Sequence, residues 1–227
     1  MQFKEKELII FDLDGTLIDS APDLALAINF MLTSLDRETF SEATIDLWVG
    51  NGASTLVKRA LSANKIIDES IDKALFESAL SIFLESYREN ICVKTVLYAD
   101  VKETLQILYS LGYTMAIVTN KPFVFVQPIL EKLDIASNFS LILGGDSLSS
   151  KKPEPEPLLY VCEKLDISVE KAVMIGDSKN DILAANAADM QSVGLSYGYN
   201  YGEPISNFNP TLVLENFKDI VEVFSLK

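Results

Sequence analysis

Two aspartates one residue apart, Asp12 and Asp14, stand in the stretch IIFDLDGTLIDS, directly after a short apolar run. An Asp carboxyl has an ordinary pKa of about 3.9, so at neutral pH it is a nucleophile toward phosphorus that needs no activating base. The second carboxyl can protonate a leaving oxygen and later accept a proton from attacking water. Gly15 permits a tight turn that brings both side chains together. Taken alone, the stretch also fits an ordinary turn or a calcium-type loop.

Other polar residues follow later apolar runs and could join these carboxylates. Thr119 and Asn120 offer donors to phosphate oxygens, although the pair also suits a helix N-cap. Lys152, in SSKKPEPEPLL, offers a cation before a proline-rich helix start, although a single lysine is more often solvated. Asp177 and Asp181, in GDSKND, add two carboxylates that also suit the first turn of a helix. Unrelated turns and caps do not explain why all these residues occur together.

Four carboxylates at one point raise one another's pKa unless a cation lies between them. A hard divalent ion with oxygen ligands resolves that conflict, and Mg²⁺ is the ion we predict. The chain contains no histidine. This excludes a histidine general base, a phosphohistidine intermediate and the usual histidine-containing zinc sites.

The composition limits which kinds of partner the protein can bind and indicates its cellular compartment. With 19 basic and 33 acidic residues the net charge is -14, which opposes binding to nucleic acid or to an anionic membrane. The N-terminal stretch MQFKEKELII has acidic residues where a signal peptide has basic ones, and no apolar run is long enough to span a bilayer, so we predict a cytoplasmic protein. Cys92 and Cys162 form no CxxC pattern and are interpreted as buried thiols.

The alternation of elements predicts an α/β fold with a Rossmann-like, doubly wound parallel sheet. Four short apolar runs, LIIF, MAIV, LILGG and AVMIG, and a weaker fifth, SVGL, alternate with helix-length segments. Ligands of such sheets bind beyond the carboxyl ends of the strands, which is where the polar residues fall.

One long segment interrupts this alternation with helical patterns. We predict a helical cap domain at residues 20–96 and a core domain formed by residues 1–19 and 97–227. Ser20, followed by Pro22 and Asp23, resembles a helix N-cap. Tyr197 to Gly202, YGYNYG, is interpreted as a structured loop after the last strand rather than as a nucleic-acid platform.

Four strings, DLDGT, TN, KKP and GDSKND, match in order and spacing the motifs of the haloacid dehalogenase superfamily of phosphotransferases. The longer strings LWVGNGASTLVKRAL, VTNKPFVFVQPIL and SVGLSYGYNYGE resemble its bacterial phosphoglycolate phosphatase subfamily across nearly the whole chain. The resemblance implies Mg²⁺-dependent hydrolysis of 2-phosphoglycolate, a small phosphate ester, to glycolate and phosphate.

The resemblance also implies a role for each matching residue. Asp12 becomes the nucleophile and a metal ligand, and Asp14 the general acid and base and a metal ligand through its backbone carbonyl. Asp177 becomes a metal ligand. Asp181 becomes a residue that contacts the metal ligands without binding the metal itself. The phosphate binders are Thr119, Asn120 and Lys152.

The loop WVGNGAS is the candidate for substrate specificity, since Gly50, Asn51 and Gly52 offer backbone N–H groups and an amide to a small carboxylate. A plain turn between helices is the alternative. Lys58 and Arg59 lie shortly beyond, where a solvated helix face is the favoured interpretation.

Three departures from the subfamily pattern concern the site's surroundings. The usual Pro-Gly return from the cap reads Ala99 and Asp100, a frequent His is Glu154, and an Ala-Gly pair reads Ala188 and Asp189. The substrate is therefore less firmly predicted than the reaction. A phosphatase for another small ester, a phosphosugar mutase and a non-catalytic binding protein remain alternatives, and the chain is expected to be a monomer or homodimer.

Overall fold

The computed structural model describes residue 3 and residues 5–224. The predicted core domain extends beyond these residues at Met1, Gln2, Lys4 and 225–227, so that part of the prediction lies outside the described residues. The same holds for part of the N-terminal stretch on which the cytoplasmic prediction rests.

Strands and α-helices alternate from the fourth strand to the seventh. The strands are β1 Leu8–Phe11, β2 Ile18–Asp19, β3 Val96–Leu97, β4 Thr114–Val118, β5 Leu141–Leu143, β6 Ala172–Gly176, β7 Gln191–Leu195 and β8 Leu212–Leu214. The helices are α1 Ala21–Ser34, α2 Glu42–Asp46, α3 Ala53–Leu61, α4 Lys73–Glu89, α5 Val101–Ser110, α6 Phe123–Lys132, α7 Glu156–Leu165, α8 Lys179–Ala187 and α9 Ile220–Phe224.

Six strands form one parallel sheet in the order β5-β4-β1-β6-β7-β8, which confirms the predicted fold class. β1 is central, with Ile10 in register with Ala116 of β4 and Met174 of β6. Successive side chains of a strand point to opposite faces. Accordingly, Ile9 packs in the apolar cluster on one face of the sheet and Ile10 in the cluster on the other. Burial on both faces explains why these strands read as continuous apolar runs.

A third apolar cluster joins the helices α1 to α4 into the predicted helical cap. Ile28 and Met31 of α1 and Phe83 of α4 are among its fully buried members. The cluster also includes Phe125 of α6 and Tyr199, so the cap packs against the sheet-bearing part of the chain. The predicted boundaries at residues 19/20 and 96/97 stay a prediction.

A short antiparallel ladder connects the two parts, where the sequence indicated no strand pair. Ile18 of β2 is in register with Leu97 of β3. Next to it, the buried carboxylate of Asp23 accepts hydrogen bonds from the backbone N–H groups of Val93, Lys94 and Thr95 at 2.9 to 3.1 Å, and from the Thr95 hydroxyl at 2.7 Å. The two chain crossings are thereby held side by side.

Ser20 occupies the N-cap position of α1 as predicted, but its side chain does not cap the helix. The Ser20 hydroxyl instead donates to Asp14, and the Tyr199 hydroxyl accepts from the backbone N–H groups of Ser20 and Ala21, each at 3.0 Å. The first turn of the cap is therefore satisfied by the sheet part of the chain.

Smaller expectations from the sequence need correction. The YGYNYG loop does not follow the last strand, because β8 comes after it; β8 has only three residues and gave no clear sequence signal. Cys162 is buried, but Cys92 is half-buried, and both thiols are free. Among the described residues, no helix has the length and apolar character needed to cross a membrane.

Candidate active site

Three of the predicted residues come directly after adjacent strands of the sheet. Asp12 follows β1, Thr119 follows β4 and Asp177 follows β6. Because the carboxyl ends of neighbouring parallel strands share one edge, these residues meet there. The Asp12 N–H extends the ladder by donating to the Ile175 carbonyl at 3.0 Å, which fixes the height of its side chain above the sheet.

Asp12, Asp177 and Asp181 form a buried acidic cluster in which one carboxylate oxygen of each lies within 4.8 Å of the others. Burial, together with the charge of Asp181, raises the pKa of Asp12 to about 7, although Lys152 opposes the shift. Burial and the two neighbouring carboxylates raise the pKa of Asp177 well above its ordinary value. A metal ion would relieve this repulsion, and an all-oxygen donor set suits a hard divalent cation.

Lys152 supplies the cation of this cluster and is itself 2% exposed. Its ammonium lies 2.8 Å from Asp12 Oδ1 and 2.6 Å from Asp181 Oδ1. Burial lowers the pKa of Lys152, but the two carboxylates raise it more, so it remains charged. One lysine faces three carboxylates, which leaves Asp177 without a basic partner in the described part of the chain.

Hydrogen bonds orient the two later carboxylates. Asp177 accepts from the Thr16 hydroxyl at 2.7 Å and from the Tyr199 N–H at 2.6 Å. Asp181 accepts from the N–H and the hydroxyl of Ser178 at 3.0 Å each, at the start of α8. Asp181 therefore has both of the roles considered from the sequence. One carboxylate oxygen binds Ser178 in the first turn of α8, and the other contacts Lys152 in the acidic cluster.

Two glycines allow the backbone to approach Asp177 closely. Gly15 (φ +90°) and Gly198 (φ +88°) both have conformations that disfavour a side chain. A Cβ at either position would collide with the Asp177 carboxylate. The tight turn predicted at Gly15 thus serves to bring the backbone beside the acidic cluster.

The side chain of Asp14 is not part of the acidic cluster. Its Oδ1 accepts from the Lys121 ammonium at 2.8 Å and from the Ser20 hydroxyl. Lys121 is almost fully buried, and its ammonium lies 4.9 Å from the centroid of the Tyr87 ring. Burial lowers the pKa of Lys121, but Asp14 and Tyr87 raise it more, so its pKa is above the ordinary value.

The predicted phosphate binders Thr119, Asn120 and Lys152 all line one cavity. The Thr119 hydroxyl accepts from the Lys121 N–H at 3.2 Å and keeps its own proton for another acceptor. The Asn120 side-chain amide donates to the backbone carbonyls of Gly50 at 3.1 Å and Lys152 at 3.0 Å. Both of its N–H groups are thus used within the protein, so its side chain offers no free donor to phosphate in this state.

The loop 50–52 of the cap lies directly on the sheet edge. The Gly50 carbonyl accepts from the amides of Asn120 and Asn180 at 3.1 Å each, and the Asn51 carbonyl accepts from the Lys151 ammonium at 2.8 Å. Gly50 and Gly52 line the cavity, whereas Asn51 does not. The Asn51 side chain is instead held by the Tyr201 hydroxyl at 2.8 Å.

The cavity is closed from both parts of the chain. The cap contributes mainly apolar groups, and the sheet edge contributes the charged and polar ones. Its described lining is Asp12, Asp14, Leu24, Val49, Gly50, Gly52, Ala53, Leu56, Phe83, Tyr87, Thr119, Asn120, Lys121, Pro122, Phe125, Lys152, Ser178 and Asp181.

Lys58 and Arg59 are not part of this lining. The Lys58 ammonium lies over the Phe76 ring at 5.0 Å, and Arg59 donates to the Trp48 carbonyl at 2.7 Å. Both residues lie away from the cavity, as favoured, but they are half-buried and contact other residues, so the interpretation as a solvated helix face was wrong.

Sequence reasoning did not single out Lys121 or Tyr199. Lys121 directly follows the Thr119-Asn120 pair, and that position was the available signal. Tyr199 lies in the aromatic loop, and its N–H contacts Asp177 while its hydroxyl contacts the first turn of α1. Neither contact leaves a local pattern in the sequence.

The model of the family described as haloacid dehalogenase-like hydrolase matches residues 9–195 of the chain. The chain belongs to this family. The family assignment agrees with the parallel sheet, the helical cap and the acidic cluster at the sheet edge, and it confirms the superfamily resemblance seen in the motifs.

Members of the family with high similarity bear one functional name. The phosphoglycolate phosphatase of Colwellia psychrerythraea (strain 34H / ATCC BAA-681) is 52% identical, with 97% of this chain and 98% of the relative covered. That of Psychrobacter arcticus (strain DSM 17307 / VKM B-2377 / 273-4) is 48% identical over 96% and 95%. The crystal structure of a predicted phosphoglycolate phosphatase from Haemophilus somnus 129PT is 41% identical, with a TM-score of 0.90 and coverage of 97% and 98%.

Proposed function

We propose that this protein hydrolyses 2-phosphoglycolate to glycolate and phosphate with the help of Mg²⁺. The observation that carries the proposal is the buried cluster of Asp12, Asp177 and Asp181 with Lys152 at the carboxyl edge of the sheet, beneath a closed cap. The curated relatives of high identity are named phosphoglycolate phosphatases, which supports this substrate among small phosphate esters.

In the proposed first step, an Asp12 oxygen attacks the phosphorus and the glycolate oxygen leaves. Lys152 and the Thr119 hydroxyl hold oxygens of the transferring group, and the backbone N–H of Asn120 replaces its occupied side chain as a donor. Fixed charges that are already in place stabilise the transition state without reorganisation. Asp14 gives the leaving oxygen its proton.

In the proposed second step, water hydrolyses the aspartyl phosphate and Asp14 accepts the water's proton. The contact of Asp14 with Lys121 and Ser20 keeps its carboxylate apart from the acidic cluster, so that nucleophile and acid/base occupy different surroundings. The cap excludes bulk water while the ester is bound.

We propose that Asp12, Asp177 and the backbone carbonyl of Asp14 hold the Mg²⁺, with Asp181 beside them. When bound, the ion neutralises charge on the carboxylates and on the phosphate. The crowding of the three carboxylates, and the raised pKa values of Asp12 and Asp177, support a cation at this place. A cytoplasmic location and a monomeric or homodimeric state stay predictions from the sequence.

The experiment is phosphate release from a panel of esters that includes 2-phosphoglycolate, with Mg²⁺ and with EDTA. We expect metal-dependent release that is highest for 2-phosphoglycolate and absent in Asp12→Asn. Asp146→Asn is the matched control, because this exposed carboxylate accepts a hydrogen bond from the Phe123 N–H and lies outside the cavity.

Other outcomes separate the parts of the proposal. Release from other esters but not from 2-phosphoglycolate would retain the chemistry and refute the substrate. Full release by Asp12→Asn would refute the nucleophile, and no release from any ester would favour a mutase or a binding protein.

A further inference from the structure

The substrate proposed above has two anionic ends, and the cavity has two cations among its described lining residues, Lys121 and Lys152. Lys152 contacts Asp12 and Asp181 and is therefore committed to the reacting end. The other end of the ester is a carboxylate, which one methylene group separates from the ester oxygen. It needs a partner of its own, because burying an unpaired charge costs free energy.

Lys121 is placed to be that partner. Its side chain is 3% exposed, and the Asp14 contact at 2.8 Å uses one of the three N–H donors of the ammonium. The ammonium also lies against the face of Tyr87 on α4 of the cap. It thus lies at the boundary between the sheet edge and the cap.

Among the described lining residues that belong to the cap, only Tyr87 has a side chain that can donate a hydrogen bond. The loop 50–52 directs the carbonyls of Gly50 and Asn51 toward core side chains, and carbonyl oxygens repel a carboxylate. Leu56 and Phe83 of the cap are apolar, as is Phe125 of α6 beside them. The Tyr87 hydroxyl is buried and makes no hydrogen bond of standard geometry within the described part of the chain, but it lies near enough to the Lys121 ammonium to help raise the pKa of Lys121.

We infer that Lys121 recognises the carboxylate of the substrate and that the Tyr87 hydroxyl is its second donor. This inference rests on the proposed function. Lys121 is then a specificity-determining residue, and the cap takes part in recognition through α4 as well as through the loop 50–52.

The test compares three phosphate esters with the same two-carbon frame and different ends: 2-phosphoglycolate, 2-hydroxyethyl phosphate and O-phosphoethanolamine. For the wild type we expect kcat/KM to fall in that order, because the ends are anionic, neutral and cationic beside a lysine. Equal kcat/KM values for all three would overturn the inference whatever the variants do.

Lys121→Met is the decisive variant. It also disturbs Asp14, but that loss is common to all three esters and cancels in the ratio of kcat/KM for 2-phosphoglycolate to that for 2-hydroxyethyl phosphate. We expect this ratio to fall by about 10- to 100-fold, as for loss of a hydrogen bond to a charged group. Lys121→Arg keeps the charge and should preserve most of the ratio.

Two further variants complete the experiment. Tyr87→Phe should lower the ratio by a smaller factor, and it keeps the inference testable if Lys121→Met does not fold. Lys164→Met removes the positive charge of an exposed lysine of α7 that does not line the cavity, so its ratio should stay close to that of the wild type.

The outcomes separate the inference from the proposed function. An unchanged ratio in both Lys121→Met and Tyr87→Phe, with a wild type that hydrolyses 2-phosphoglycolate, would refute the inference alone. A wild type that hydrolyses only the other two esters would refute the proposed substrate, and with it the inference.

Discussion

At the scale of single residues, the geometry of the acidic cluster depends on two glycines, Gly15 and Gly198. Gly198 contributes no functional group, but it is the place where the backbone passes the Asp177 carboxylate and the Gly15 carbonyl. Its neighbour Tyr199 then donates its N–H to the same carboxylate. The position of Asp177 is therefore set by backbone geometry as much as by hydrogen bonds.

We predict that Gly198→Ala lowers Mg²⁺-dependent kcat by about 10- to 100-fold, because the new Cβ displaces Asp177. Gly202→Ala is the matched control. Gly202 has a similar positive φ of +76°, but no atom of the described residues lies within 4 Å of the place that an added Cβ would take. Both variants carry a backbone cost of about 1–2 kcal/mol, which thermal unfolding measures.

Steady-state kinetics over a range of Mg²⁺ concentrations checks this prediction. Equal losses of activity in the two variants would mean that backbone strain, and not the position of Asp177, is responsible.

Residue types alone gave most of the candidate site, but not all of it. Carboxylates at strand ends are visible in sequence because each follows an apolar run. Lys121 was not distinguished from a solvated lysine, since its burial depends on Tyr87, a residue of the cap more than thirty positions earlier. Such a contact has no local signature.

At the scale of elements, Asp23 holds together the two crossings between the sheet and the cap. Its carboxylate is 1% exposed and accepts from the segment 93–95, about seventy residues later. The sequence identified Asp23 only as an acidic residue in the first turn of α1. Its partners are set by the return of the chain, which a local pattern does not reveal.

We predict that Asp23→Asn lowers the free energy of unfolding by about 3 kcal/mol, because an amide cannot accept at both of its ends and leaves buried N–H donors unpaired. Urea denaturation measures the change. Asp166→Asn is the control, since Asp166 is exposed, has a φ of +55° that asparagine tolerates, and should change stability by less than about 0.5 kcal/mol.

A loss below about 0.5 kcal/mol in Asp23→Asn as well would show that water replaces the carboxylate at these donors.

The elements themselves were predicted unevenly, for a physical reason. β1, β4 and β6 are buried on both faces of the sheet and therefore form apolar runs, and the half-buried edge strand β5 is apolar too, so the existence of all four could be inferred from the sequence. β2 and β3 have two residues each, and their pairing depends on the two chain crossings meeting in space. Such short ladders form because the fold brings the two segments together, and they leave no pattern in the sequence.

At the scale of the whole molecule, the acidic cluster connects stability to pH and to the metal. Residues distant in the chain, Asp12, Asp177 and Asp181, bring their charges together only in the folded state. The pKa of Asp12 is about 7 when folded, against an ordinary value of 3.8. Between these values the folded protein holds a proton that the unfolded chain has released.

It follows that the contribution of Asp12 to the free energy of unfolding of the metal-free protein falls as the pH rises from about 4 to about 7. A divalent cation binds the unprotonated carboxylates, so its stabilising effect grows over the same window. We predict that Mg²⁺ raises Tm more at about pH 8 than at about pH 5.5.

Thermal unfolding in EDTA and in excess Mg²⁺ measures the two shifts in Tm. Asp12→Asn removes one of the two carboxyls with a raised pKa and should make the two shifts more nearly equal. Equal shifts in the wild type would contradict the prediction.

The closed contact between the cap loop and the sheet edge has a consequence for how specificity can change. Asn120, Asn180 and Lys151 donate to the main-chain oxygens of Gly50 and Asn51, and every residue type possesses such an oxygen. The contact between the loop and the sheet edge therefore depends more on the path of the loop's backbone than on its side chains. Substitutions on the cap can alter which ester is accepted while the lid still seats in the same place, so selectivity and enclosure can vary independently in this scaffold.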